Sequence, residues 1–119
     1  MAAVDPRIES YLQMRIGYLR VLALRVEQVP YEIGDGSQSV QVELLKKDVS
    51  GRYLFTFQGA RMLEFADLHP GLSCCLYIDN VVDHQLEGLR YKVSSGEQDL
   101  TLRFYCYDFG ISELPLNLN

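Results

Sequence analysis

Apolar and polar positions alternate along most of this chain with the two-residue period of a β-strand, and only its first stretch follows a helical period. "DPRIESYLQMR", residues 5–15, opens like a helix: Asp5 can cap it, Pro6 suits the first helical position, and Ile8, Tyr11 and Leu12 fall on one face. Ile8 stands where a capping box needs Glu or Gln, and Gly17 follows closely, so the helix is expected to be short.

After Gly17 the pattern turns to β-branched, aromatic and leucine residues punctuated by turns. "YLRVLALRVEQV" predicts a long strand, apolar on both faces at first and alternating from Leu24. "YEIGDGSQS" predicts a polar, glycine-bearing loop, "VQVELL" a strand, "KKDVSG" a turn, and "RYLFTF" a strand with Tyr53, Phe55 and Phe57 on one face. Gly59 permits a reversal or bulge into "ARMLEF". "ADLHPG" interrupts, and "LSCCLYI", "LEGLRYKV" and "LTLRFYCYDF" follow, joined by "DNVVDHQ" and "SSGEQD". The expected fold is mainly β: an antiparallel β-meander of six or seven strands forming a sandwich or open barrel, with one short N-terminal helix. Residues 1–119 show no repeat, linker or low-complexity tract and are expected to form one domain.

Charge narrows the partners. Eleven Lys and Arg against 16 Asp and Glu leave a net −5, the wrong sign for a polyanion's partner, so nucleic acid and anionic membrane are not expected. Residues 1–61 carry 8 bases and 7 acids, whereas residues 62–119 carry 3 bases and 9 acids, so the excess sits in the second half. There is no basic region leading into an apolar core at the N-terminus, and no apolar run near the roughly 20 residues of a membrane span. An odd set of three cysteines fits reduced thiols, and a cytoplasmic location is the expectation.

"HPGLSCCLYID" concentrates a histidine, two cysteines and an aspartate, which raises the possibility of a metal or nucleophile site. Strand alternation argues against a metal there. Cys74 goes with Leu72, Leu76 and Ile78 on one face, while Cys75 goes with Ser73, Tyr77 and Asp79 on the other, so the pair cannot share a tetrahedral ion. Cys106, in line with Leu102 and Phe104, reads like Cys74 as a small core hydrophobe. "DNVVDHQLEG" lacks the ligand spacing of a calcium loop, and "GDGSQS" has Ser39 where a dinucleotide-binding loop needs its last glycine. No metal, cofactor or catalytic residue is assigned.

Aromatic placement supplies the positive signal. In "LTLRFYCYDF", Leu100, Leu102, Phe104 and Cys106 form one face and Thr101, Arg103, Tyr105 and Tyr107 the other, and Tyr77 with Asp79 has the same polar-aromatic character. These residues, joined by the acidic Asp83 and Glu87, make the candidate partner-binding surface: Tyr77, Asp79, Asp83, Glu87, Arg103, Tyr105 and Tyr107. A different class of function, a small enzyme or ligand-binding β-barrel, would use His84 with Asp83, or Cys75 with a histidine such as His69 brought to it by the fold.

"FTFQGARMLEF", "CCLYID" and the closing "LRFYCYDFGISEL" resemble the small β-rich immunity proteins found beside bacterial secreted toxins, in which an F-x-G-x-x-x-L-x-F segment and a late F-x-C strand recur. The resemblance spans about the last two thirds of the chain. It implies a cytoplasmic, non-enzymatic protein that neutralises a cognate toxin by binding it, and the acidic second half would suit a basic toxin domain.

Overall fold

The alternation resolves into two antiparallel sheets packed face to face. The computed structural model describes residues 5–34, 36–66, 73–81, 89–95 and 101–116. They hold α1 (Pro6–Gln13), β1 (Leu19–Gln28), β2 (Gln38–Leu45), β3 (Gly51–Gln58), β4 (Arg61–Ala66), β5 (Ser73–Cys74), β6 (Leu76–Asn80), β7 (Tyr91–Ser95), β8 (Thr101–Cys106) and β9 (Asp108–Pro115). One sheet has the order β5-β1-β2-β3-β9 and the other β4-β8-β7-β6. β1–β2–β3 and β6–β7–β8 are each a meander, and three sequence-distant pairings complete the sheets: β1 with β5, β3 with β9 and β4 with β8. The sheets do not close on one another, so the expectation of a sandwich or open barrel resolves to a sandwich.

Each sheet turns its apolar positions inward. Val40, Val42 and Leu44 of β2 and Phe55 and Phe57 of β3 meet Leu76, Ile78, Val93, Leu102 and Phe104 of the facing strands in one buried cluster. Phe57 touches Phe104 edge-on with ring centroids 5.0 Å apart, and Tyr91 meets Phe109 in the same way at 4.9 Å. The helix leans on this core through Tyr11, whose ring stands edge-on to Phe55 and whose hydroxyl donates to the Leu76 carbonyl. Asp5 caps α1 by accepting the Arg7 N–H at 2.9 Å, and also accepts from Asn80 Nδ2 at 3.2 Å. Burial alone would raise the Asp5 pKa, but these bonds and one from the Tyr91 hydroxyl hold it below its ordinary value. Arg7 pairs with Asp108, so the helix is tied to β6, β7 and β9.

Two predicted strands are in fact broken where the chain passes between sheets. "LSCCLYI" divides at Cys75, β5 joining β1 and β6 joining β7. "LTLRFYCYDF" divides at Tyr107, and β9, not foreseen, continues to Pro115. Gly110 and Pro115 disfavour a strand, but β9 is the edge of its sheet, where both are tolerated. The break at Tyr107 shares a corner with the β3–β4 passage. Gly59 there has φ +65°, a Cβ on it would stand 3.0 Å from the Tyr107 Cβ, and the Tyr107 N–H donates to the Gln58 carbonyl at 2.9 Å.

The outer face of the five-stranded sheet carries one buried charge. Glu43, only 5% exposed, accepts from Arg25 at 3.0 Å and Arg52 at 3.2 Å, linking β1, β2 and β3. Removing it would leave the two guanidinium groups facing each other without their anion. Glu43→Ala is therefore expected to cost about 3 kcal/mol in denaturant unfolding, whereas truncating the half-exposed Arg25 is expected to cost about 1 kcal/mol.

Core burial of the thiols gives a second expectation. Desolvation pushes Cys106 up to about 12 from 9.0, and desolvation followed by the neighbouring Cys75 pushes Cys74 up to about 11. Because both values are raised on folding, their contribution is intact below pH 9 and is lost as the pH climbs toward the folded values. Unfolding measured from pH 9 to pH 11 should show each thiol lowering the folding constant by up to about tenfold per pH unit. In Cys74→Ala/Cys106→Ala this slope should flatten.

Candidate functional site

Antiparallel register sorts the side chains turned away from the core into two ranks across the four-stranded sheet. Tyr77 of β6 lies opposite Ser94 of β7, Ser94 opposite Arg103 of β8, and Arg103 opposite Glu64 of β4. Parallel to that rank, Asp79 lies opposite Lys92, Lys92 opposite Tyr105, and Tyr105 opposite Arg61. Their neighbours along each strand, Leu76, Ile78, Val93 and Phe104, are buried, so these eight residues share the outer face. The fold thus brings together four residues singled out in the sequence: Tyr77, Asp79, Arg103 and Tyr105.

This face is amphipathic and mixed in charge. Asp79 and Glu64 stand against Lys92, Arg103 and Arg61. Arg103 Nη2 donates to Glu64 Oε2 at 2.6 Å, a bond that raises the guanidinium pKa. Both partners are more than half exposed, so the pair adds little to stability and chiefly fixes where the charges sit. Tyr77 is 50% exposed, and its hydroxyl is bonded to that of Tyr18, the residue before β1. That bond, with Tyr18 and Cys75 nearby, raises the Tyr77 pKa. Tyr105 is half-buried.

Tyr107 does not belong to this face. The strand ends at Cys106, and Tyr107 sits in the bend that carries the chain to the other sheet, 54% exposed. There it borders a groove of about 530 Å³ together with Arg61, Gly59, Leu89 and, from the loop end of the β1–β2 hairpin, Glu27 and Val29. Alternation assigned it to the Tyr105 face because the sequence does not show where a strand changes sheets. Asp83 and Glu87 lie outside the described residues, as do His69 and His84.

Cys75 is half-buried where the chain crosses from β5 to β6. Two further grooves, of about 460 and 320 Å³, run along α1 beside Phe109 and between Met14 and Tyr53, and Cys75 borders none of the three. Among the described residues no group of three or more His, Cys, Asp or Glu is placed to hold a metal ion, and no helix is long and apolar enough to cross a membrane.

Sequence reasoning missed Tyr18, Lys92, Glu64 and Arg61 as neighbours of the candidate residues. Lys92 was legible in "LEGLRYKV" as the polar residue between Tyr91 and Val93, but its place between Asp79 and Tyr105 depends on register. A bulge in β4 between Arg61 and Glu64 hides those two from a simple alternation.

Comparison with curated proteins and with solved structures returned no match. Residues 3–112 match the family model described as immunity protein PIM8. The chain therefore belongs to the PIM8 family of immunity proteins, which places it among proteins that neutralise a toxin by binding it.

Proposed function

We propose that the toxin is engaged by the outer face of the four-stranded sheet, through Tyr77, Asp79, Arg103 and Tyr105 with Lys92 between them. The observation that carries this reading is the pair of cross-strand ranks. They set tyrosines and charged groups side by side on a rigid sheet, while the alternate residues of the same strands are locked in the core. Tyrosine and arginine combine large contact area with a polar end, which suits a surface that must be soluble when free and tightly covered when bound. In this reading the chain is not an enzyme and blocks its target by occupancy in the cytoplasm of a bacterium. The net charge of −5, to which Asp83 and Glu87 of the acidic second half of the sequence contribute, favours a basic toxin domain.

Stability and binding separate the expected consequences. Tyr77→Ala should leave the unfolding midpoint nearly unchanged, because its ring is half exposed, yet weaken toxin binding by about 2 kcal/mol. Tyr105→Ala, at a half-buried site, should lower both stability and affinity. Binding to the purified toxin domain encoded beside this chain, measured by titration calorimetry, supplies the test. Unchanged affinity in folded Tyr77→Ala and Arg103→Ala proteins would remove this face from the interface.

A further inference from the structure

The loop "YEIGDG", expected to be merely polar, carries the most exposed apolar side chains described in the molecule. Tyr31 is 79% and Ile33 81% exposed, at the tip of the β1–β2 hairpin. Every residue from Arg25 to Gly34 is exposed, because β5 pairs only with Leu19 and Arg20 and leaves the rest of β1 as a sheet edge running into the loop. Such a tip costs solubility and gains nothing for the core, which is the usual mark of a contact surface.

Despite its exposure, the tip is held in shape. The Val29 N–H donates to the Ser37 carbonyl at 2.8 Å and the Ile33 N–H to the Pro30 carbonyl at 3.1 Å. Val29 lies over Gly34, where a Cβ would fall 2.2 Å from its Cγ1, and the Tyr31 ring lies over Gly36, where a Cβ would fall 2.4 Å from Cζ. Gly36 also has φ +73°, a conformation that other residues adopt only with strain. Ordering Tyr31 in advance spares part of the entropy cost of binding.

Charge identifies the kind of surface that would receive the pair. Glu32 stands between the two and Glu27 precedes them, and from Glu27 to Ser37 the sequence contains no Lys or Arg. Repulsion between two such tips disfavours a second copy of this chain, and an anionic bilayer would repel them too. The groove bordered by Glu27, Arg61 and Tyr107 leads from the loop end of the hairpin to the corner of the four-stranded sheet, where Arg61 faces Tyr105. Hairpin and sheet face are thus continuous along one side of the protein.

We infer that the hairpin tip is the anchor of the complex, Tyr31 and Ile33 entering an apolar cleft of the toxin whose rim is basic. This rests on the toxin-binding reading above and adds to it the element that supplies most of the holding power.

The test uses the full chain and the purified toxin domain encoded beside it. Tyr31→Ala/Ile33→Ala should weaken binding by on the order of 100-fold or more, mostly through faster dissociation, with an unchanged unfolding midpoint. Glu32→Lys should slow association and reduce its dependence on salt, while Tyr31→Phe should bind nearly as the unmodified chain does. Gly36→Ala, which must displace the Tyr31 ring, should lose affinity without changing the composition of the apolar pair. Binding by the double variant within about threefold of the unmodified chain would overturn the inference, as would a self-associated state that the same variant abolishes. If Tyr77→Ala fails to bind while the double variant binds fully, the tip is excluded and the sheet-face reading stands. Failure of the unmodified chain to bind the toxin domain would overturn both.

Discussion

The edge-on contact of Phe57 with Phe104 is the constraint on which the remaining geometry depends. It joins β3 to β8, the strands that meet across the two sheets, and Phe57 also stacks on Phe55 and reaches Phe109, so one ring ties β3, β8 and β9 together. With those strands fixed, antiparallel pairing sets the place of each outer residue within ångströms, and the ranks across β4, β8, β7 and β6 follow. The outer face of the four-stranded sheet is thus held from beneath. Its own exposed ion pair contributes little, whereas large aromatic groups in a close-packed core each contribute about 3 kcal/mol.

Close to that contact, the corner at Gly59 and Tyr107 decides how the surface is divided. Two passages between sheets crowd into one place, where Gly59 supplies the positive φ of the turn and a Cβ on it would push Tyr107 back. In the F-x-G-x-x-x-L-x-F segment this gives each leading position a physical meaning: Phe57 enters the core and Gly59 turns the chain beside the β8–β9 bend. The same corner throws Tyr107 out of line with Tyr105 and opens the groove that reaches the hairpin.

What the sequence disclosed best was the inside and outside of the strands around the two cysteines. Cys74 is buried, Cys75 half-buried and Tyr77 and Asp79 exposed, as alternation required, even though the strand is broken between the two cysteines. Crossing between sheets at Cys75 keeps the alternation because the core lies between the sheets on either side of the crossing. Position along the strands was not legible in the same way. The bulge between Val21 and Ala23, the pairing of β3 with β9 and the order of β4 beside β8 are set by contacts between distant residues, which a local pattern does not contain. Tyr31 and Ile33 escaped notice for a different reason. Two apolar residues among Glu, Asp and Gly look like noise in a polar loop until their exposure is known.

A neutralising complex must hold at low concentration, and nanomolar binding corresponds to about 12 kcal/mol at standard state. The four-stranded face offers tyrosines and five charged groups, Asp79, Glu64, Lys92, Arg103 and Arg61, whose desolvation on binding consumes much of what their pairing returns. Such a face discriminates between partners and orients them better than it holds them. Affinity of the required size needs apolar groups leaving water at the centre of a contact. Among the described residues, Tyr31 and Ile33 are the apolar groups that a partner can cover most completely, since so little of either is covered by the chain itself. In the proposed complex, holding power and selectivity fall to different elements: a hairpin loop whose shape depends on Gly34 and Gly36, and a sheet face whose register depends on the aromatic core.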